Sequence, residues 1–419
     1  MSSEIIFSDE FEAARTLSDK RCTLHFGKWK RKVTVRLSSA LPMETIDLSS
    51  KLIKAIPIYD LPFEIKIVDQ SIYIGPVIAL MVTNRQKITQ KILDKYHHYL
   101  QNYMGIKGLV YICSTRGINT KKKTIEGYYY TPNVKDSKQC WKKGIFPYPN
   151  SLYRRTRIPH SLFQDLLSII GGKIFNTPFL NKLQMWELLS TDSQLKKYLP
   201  ETFQLKADKS LKLLLNKYPS LYLKPINGSF GRGIYKLEKT ENGNGYRLIN
   251  KFGEELLTDS MTKQKGNIVQ RDVSFQHKGR NVDFRVIMQK NRKKQWKCNA
   301  FIARYGGYKR IYTNDTASLQ LGKATLIKAY KYSEEKAKAI ELEIIKVCKN
   351  ACKVLDSSGR HYGDLGIDII IDKNHNIWII EINNFAQIHE IASLVNNAPE
   401  LYKEVVTAPL EYAKSLAGF

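Results

Sequence analysis

The segment GDLGIDIIIDKNHNIWIIEINN brings together residues able to hold a metal ion: Asp368, Glu381 and Asn383. Two apolar runs, Gly366 to Ile371 and Ile377 to Ile382, flank the turn-forming stretch Asp372 to Asn376, which predicts a β-hairpin. With the turn centred near residue 374, antiparallel pairing sets Asp368 opposite Ile380 or Glu381. Glu381 and Asn383, two apart, share a face. Side chains directly opposed in such a pair have Cβ atoms about 5 Å apart. Carboxylates that close repel unless a cation lies between them, and hard oxygen donors suit Mg2+ or Mn2+, with phosphate oxygens completing the shell. The competing reading is a solvent-facing hairpin edge; the strongly apolar strands argue against it.

A second candidate is SLYLKPINGSFGRGIYKLE, which reads as strand, glycine-rich turn, strand. Gly228, Gly231 and Gly233 allow backbone N–H groups to approach phosphate oxygens without a Cβ in the way, and Lys224 on the preceding strand supplies a point charge. The GK[ST] ending and following helix of a Walker loop are missing, and the pattern is not a Rossmann fingerprint. A glycine-rich hairpin turn without a ligand is the plainer explanation.

Between these segments lies NIVQRDVSFQHKGRNVDFRVIMQ. Ile268 and Val269 form an apolar strand end against which an adenine could lie, with Gln270 and Arg271 meeting its edge through backbone groups; an ordinary strand explains the stretch equally well. Asp283 and Arg285 share a face, and Arg304 in AFIARYGG follows on the next strand. Basic groups on adjacent strands suit an acyl phosphate or a carboxylate. A surface ion pair between Asp283 and Arg285 is the alternative. Upstream, Asn181 can cap a helix that carries Leu183, Trp186 and Leu189 inward. Lys182 then sits in the first turn, where a cation opposes the helix dipole, so its position implies either solvent exposure or a nearby phosphate.

These residues need a scaffold, and 419 residues imply two or three packed domains. A hydrophobic fraction of 43% with 25% charged residues matches a globular chain rather than a disordered one. From Cys22 to about Tyr73 the residues alternate apolar and polar in short runs, predicting that residues 1–73 form a small β-rich accessory domain with one helix near Leu48 to Ala55. In residues 74–158, IALMV, an amphipathic helix from Ile88 to Met104 and GLVYICS make a strand–helix–strand unit of α/β type. Residues 159–419 carry the chemistry and two longer helices, roughly Ser333 to Leu355 and Pro399 to Leu416. The N-terminus lacks a secretory pattern and the longest apolar run, near Val77 to Val82, is too short to span a membrane, so the expectation is a cytoplasmic protein without a membrane partner. Six scattered cysteines suggest neither a disulfide framework nor a zinc site; Cys348 and Cys352, four apart, fit one buried helix face. A net charge of +28 implies an anionic partner, and its clusters KWKRK, KKK and NRKKQWK read as solvated loops.

Taken in chain order, the pieces resemble the ATP-grasp superfamily: Asn181-Lys182 at a helix start, Lys224 with GSFGRG, the strand IVQRD, DFR, an arginine strand, then GID with EIN. The resemblance is strongest to the YheC/YheD-type proteins, a branch described as endospore coat-associated, through LPFEIKI leading to YIGPVIALMV, the GYYYTP to FPYPNSLYRR stretch, and FLNKLQMWELLS followed by YLPET. Together these cover most of the chain. The resemblance implies an α+β ATP-grasp fold behind a pre-ATP-grasp α/β domain, with a nucleotide lid over about 180–270 and a metal-binding core over about 271–419. It implies Lys182 and Lys224 as phosphate contacts, Gly228, Ser229, Gly231 and Gly233 in the lid loop, and Gln270, Arg271 and Val273 at an adenine hinge. Asp283 and Asn314 would line the ATP site, Arg285 and Arg304 would act on the transferred phosphoryl group, and Asp368, Glu381 and Asn383 would bind magnesium. One departure is FAQI after EINN, where many relatives have a small residue and proline, which leaves the path after Asn383 open.

The chemistry implied is ATP-dependent joining of a carboxylate donor to an amine acceptor through an acyl phosphate, with an acidic peptide or protein as the substrate favoured by charge. An ATP-grasp kinase and a polyanion-binding structural protein of the spore surface are the alternatives. Nucleic-acid binding through KWKRK and NRKKQWK is a further one, to be recognised by steep salt dependence.

Overall fold

The computed structural model of the chain describes residues 3–43, 45–56, 61–132, 139–205, 208–228, 231–240, 246–256, 266–396 and 398–419. It divides into two compact units, Met1–Asn176 with Lys290–Gln295 and Val406–Phe419, and Thr177–Gln289 with Trp296–Val405.

The first unit holds two six-stranded sheets. One is built from strands between Glu4 and Gly75, its centre the hairpin Arg21–Phe26 and Trp29–Ser38. Alternation is strict there: Cys22, Leu24, Phe26, Val33 and Val35 are buried, while Arg21, Lys30, Lys32 and Arg36 are exposed. The other sheet centres on parallel Val77–Thr83 and Leu109–Asn119, near-continuous apolar runs as expected of strands covered on both faces. The helix expected over Ile88 to Met104 is broken: Gln90–His97 is α-helical, a 3-10 turn spans His98–Leu100, and Tyr103–Ile106 forms a separate turn.

The second unit also has two sheets. One is antiparallel, in the order Thr202–Gln204, Asn267–Arg271, Ser220–Pro225, Tyr235–Lys239, Tyr246–Ile249, Glu255–Leu256. The other, also six-stranded, runs Thr316–Leu321, Trp296–Tyr308, Arg280–Lys290, Asp364–Ile371, Ile377–Asn383, with Phe275–His277 pairing with Arg280–Lys290 off this path. One face of this latter sheet is its core: Val282, Phe284, Val286 and Met288 pack with Leu365, Ile367, Ile369 and Ile371 against the Glu334–Ser357 helix, including fully buried Cys348 and Cys352. Alternation then leaves Asp283, Arg285, Gln289, Asp364, Gly366 and Asp368 on the opposite face.

The hairpin's second strand needs a correction to that alternation. Ile377 and Ile379 face the core, and strict period two would send Glu381 and Asn383 there as well. A bulge intervenes: Asp368 pairs with Glu381 but Ile369 with Ile379, so Ile380 is the extra residue. Parity flips, Ile382 rejoins the core, and Glu381 and Asn383 turn to the polar face beside Asp368.

Candidate functional site

The polar face of the hairpin's six-stranded sheet carries a continuous chain of charges. Arg304 meets Asp283 in bidentate fashion, Nε to Oδ1 at 2.7 Å and Nη2 to Oδ2 at 2.6 Å, and its Nη2 also lies 3.1 Å from Asp368 Oδ2. Arg285 clasps the other side of Asp368, Nε to Oδ1 at 2.5 Å and Nη2 to Oδ2 at 3.2 Å. All four groups are buried, with 4–9% of each residue exposed. The surface ion pair between Asp283 and Arg285 expected as an alternative is therefore not formed. Each acid takes its partner from a neighbouring strand, because i and i+2 on one strand point the same way without facing each other.

Electrostatics follow from this geometry. Burial alone would raise the Asp368 carboxyl, but Arg285 and Arg304 more than offset it and hold it below the usual carboxylate range. Burial likewise disfavours the Arg304 cation, and Asp283 and Asp368 together reverse that. The Thr313 hydroxyl donates to Asp283 Oδ2, completing the acid's shell.

Beside this chain stand the two lysines. Asn181 forms a full capping box with Gln184, its side chain accepting from Gln184 N at 2.9 Å, which starts the Lys182–Ser190 helix. Lys182 in the first turn is 12% exposed at its side chain, lies 3.3 Å from Glu381 Oε1 and donates to the Gly228 carbonyl. Solvent exposure, the reading the dipole argument left open, is overturned: the lysine bridges the hairpin carboxylate and the glycine loop. The helix buries Met185 and Leu189, with Trp186 half-buried and donating to Pro200 O at 3.1 Å; Leu183, expected inward, is half-buried at the edge of the face centred on Met185 and Leu189.

Lys224 is buried in the antiparallel sheet, and its Nζ donates to Gln270 Oε1 at 2.6 Å. Gln270 in turn donates to Thr202 Oγ1 at 3.0 Å. Desolvation lowers the lysine to about 8 even though Glu381, Asp272 and Asp368 pull the other way.

The remaining expected residues are placed less centrally. Gly231 and Gly233 have φ of +67° and +71°, the left-handed region that favours glycine, and a Cβ at Gly231 would meet Tyr312 at 2.7 Å and Asn314 Nδ2 at 3.0 Å. Asn314 thus lies beside the loop. Ser229 lies outside the described residues. Arg271 sends its guanidinium over Tyr218 and Trp378, 5.3 and 5.2 Å from the ring centroids, and its backbone N–H is taken by Glu201 O at 2.8 Å. The edge contact expected of that N–H is already made within the protein. Val273 is buried just beyond.

Sequence reasoning passed over two groups inside segments it had marked, the hinge and the FAQI departure, without giving either a role. Asp272 accepts from Ser274 N at 2.7 Å and Ser220 Oγ at 2.8 Å and pairs with Lys236 at 3.0 Å, fixing the turn that follows Arg271. The D of IVQRD was its only signal. Gln387, in the FAQI departure, accepts from Arg285 Nη1 at 3.4 Å and donates to Asn383 O at 2.5 Å.

Asp368, Glu381 and Asn383 share one face of the hairpin, where Asn383 Nδ2 donates to Asp368 Oδ2 at 3.4 Å; two carboxylates and, with that amide turned over, its oxygen would make a donor set that suits a hard divalent ion. Among the described residues no three His, Cys, Asp or Glu side chains form a metal cluster, so such an ion would depend on the amide oxygen and on oxygens from a ligand. With Lys182, Lys224, Arg285 and Arg304 against Asp283, Asp368 and Glu381, basic groups outnumber acids, as a polyphosphate site requires.

Residues 171–416 match the model of the family described as YheC/D like ATP-grasp. The endospore coat-associated protein YheD of Bacillus subtilis (strain 168) is 25% identical over 387 residues, covering 83% of each chain. The endospore coat-associated protein YheC of the same organism is 23% identical over 244 residues, covering 54% of this chain and 65% of that relative. Among solved structures, N5-carboxyaminoimidazole ribonucleotide synthetase from Thermotoga maritima is 12% identical with a TM-score of 0.43, covering 79% of this chain and 75% of that one. No described helix is long and apolar enough to cross a membrane.

Proposed function

The chain belongs to the YheC/D-like ATP-grasp family, and we propose that it is an ATP-dependent carboxylate–amine ligase working through an acyl phosphate. The observation that carries the reading is the convergence of Lys182, Glu381, Asp368, Arg285 and Arg304 on one sheet face. Lys182 and Lys224 would bind the nucleotide's phosphates. Asp368, Glu381 and Asn383 would hold magnesium, which when bound neutralises charge on the β- and γ-phosphates. Two N–H bonds of Arg285 have no partner among the described residues, and they would donate to the oxygens of the transferred phosphoryl group as charge spreads over them.

A carboxylate oxygen attacks the γ-phosphorus while the bond to ADP breaks. An amine then attacks the acyl carbon, phosphate leaves and the amine loses a proton. No side-chain nucleophile is required, and positioning supplies most of the rate. The net charge of +28 favours an acidic peptide or protein as the substrate. The relatives' description as coat-associated supports a role near the spore surface.

The test is to incubate the protein with Mg·ATP, candidate amines and acidic peptides whose carboxylates carry 18O. Transfer of one 18O into released phosphate, with a mass increase matching amide formation, is expected. A stable phosphoester without free phosphate would mean a kinase instead.

A further inference from the structure

The FAQI departure carries an inference of its own. Asn384 anchors the start of this segment, its side chain donating to Leu180 O at 3.0 Å and accepting from Leu180 N at 3.3 Å. Ala386 then adopts φ of +48°, and the chain turns Gln387 under the sheet, where it is 2% exposed. There Oε1 faces Arg285 Nη1 at 3.4 Å and Nε2 donates to Asn383 O at 2.5 Å. The space exists because residue 366 is glycine: a Cβ there would meet Gln387 Oε1 at 2.1 Å and Arg285 Cδ at 3.1 Å. Further along, His389 lies 3.0 Å from Asp364, so the segment is pinned on both sides of Gln387, at Leu180 and at the sheet.

Asp368 fixes one edge of the Arg285 guanidinium, but a planar fork held along one edge can still tilt. Gln387 meets the third nitrogen. From this we propose that Gln387, admitted by Gly366, is a positioning residue that aims the two remaining N–H bonds of Arg285 at the transferred phosphoryl group and ties that aim to the backbone of Asn383. The inference rests on the ligase reading, in which Arg285 addresses the γ-phosphate. It makes Gln387 a determinant of ATP over ADP, because ADP has no group at that position.

The experiment is calorimetric binding of Mg·ATP and Mg·ADP to the full chain, for wild type, Gln387→Leu, Gly366→Ala and the double variant. Gln387→Leu removes this contact and should weaken ATP by roughly two- to tenfold while leaving ADP unchanged. Gly366→Ala displaces the same side chain and should reproduce the effect, with no added loss in the double variant. Equal weakening of both nucleotides would mean a merely structural role and overturn the proposal, as would unchanged discrimination. If the wild type binds neither nucleotide, the ligase reading itself falls, an outcome distinct from either.

Discussion

The two sheets of the second unit hold their cations in opposite ways. In the antiparallel sheet Lys224 is buried against a neutral amide, Gln270, and desolvation brings it down to about 8. In the other six-stranded sheet Arg285 and Arg304 are buried against Asp283 and Asp368; the arginines hold Asp368 below the usual carboxylate range, and the acids offset the cost of burying Arg304. A cation held by a neutral partner still has its charge to be matched. One held by carboxylates is fixed in place and offers only its remaining N–H bonds. On the proposed reading the lysine therefore binds and the arginines align.

The largest effect should come from breaking the arginine side. Arg304→Met leaves Asp283 buried without its partner, and uncompensated buried charges cost about 3–5 kcal/mol, measurable by urea denaturation. Lys224→Met removes a desolvated cation from a neutral partner, so its loss of stability should be much smaller. Comparable losses from both would erase the contrast.

For nucleotide the order reverses. Lys224→Met should weaken Mg·ATP by about 1.5–3 kcal/mol, the worth of a charged hydrogen bond, while its fold is retained.

The pH dependence sharpens the same contrast. The lysine's native value lies below its ordinary 10.5, so between about 8 and 10.5 the unfolded state binds more protons, and this group's contribution to stability rises with pH across that window. Affinity for nucleotide should fall over the same range, since the neutral amine cannot match a phosphate. Calorimetry as a function of pH, taken as wild type minus Lys224→Met, isolates both slopes; flat differences would mean that Lys224 stays protonated throughout.

The smallest effect concerns the element that carries Lys182. Asn181→Ala removes the cap and should cost about 1 kcal/mol, with a matching fall in thermal midpoint.

How far the sequence anticipates the structure differs between local and long-range features. The hairpin, the cap at Asn181 and the Glu334–Ser357 helix follow from local signals, and the structure has all three. The doublet Ile379-Ile380 already marked a break in alternation, but only pairing reveals which residue is extra and why Glu381, rather than Ile380, faces Asp368. The partner of Lys182 was not legible, because it comes from an element distant in sequence, at Glu381, whereas Arg304 was placed on the strand next to Asp283 without their pairing being drawn. Gln387 was marked only as part of the FAQI departure, and its contact with Arg285 was not legible, since a loop residue has no periodicity to assign its face.

The most direct measurement is the thermal midpoint of wild type and Lys224→Met, each titrated with Mg·ATP. The account predicts a wild-type rise equivalent to about 2.7 kcal/mol at a hundred times the dissociation constant, and a much smaller rise in the variant at the same concentrations. No shift of the wild type with ATP or ADP would contradict it and leave the converging charges as scaffolding.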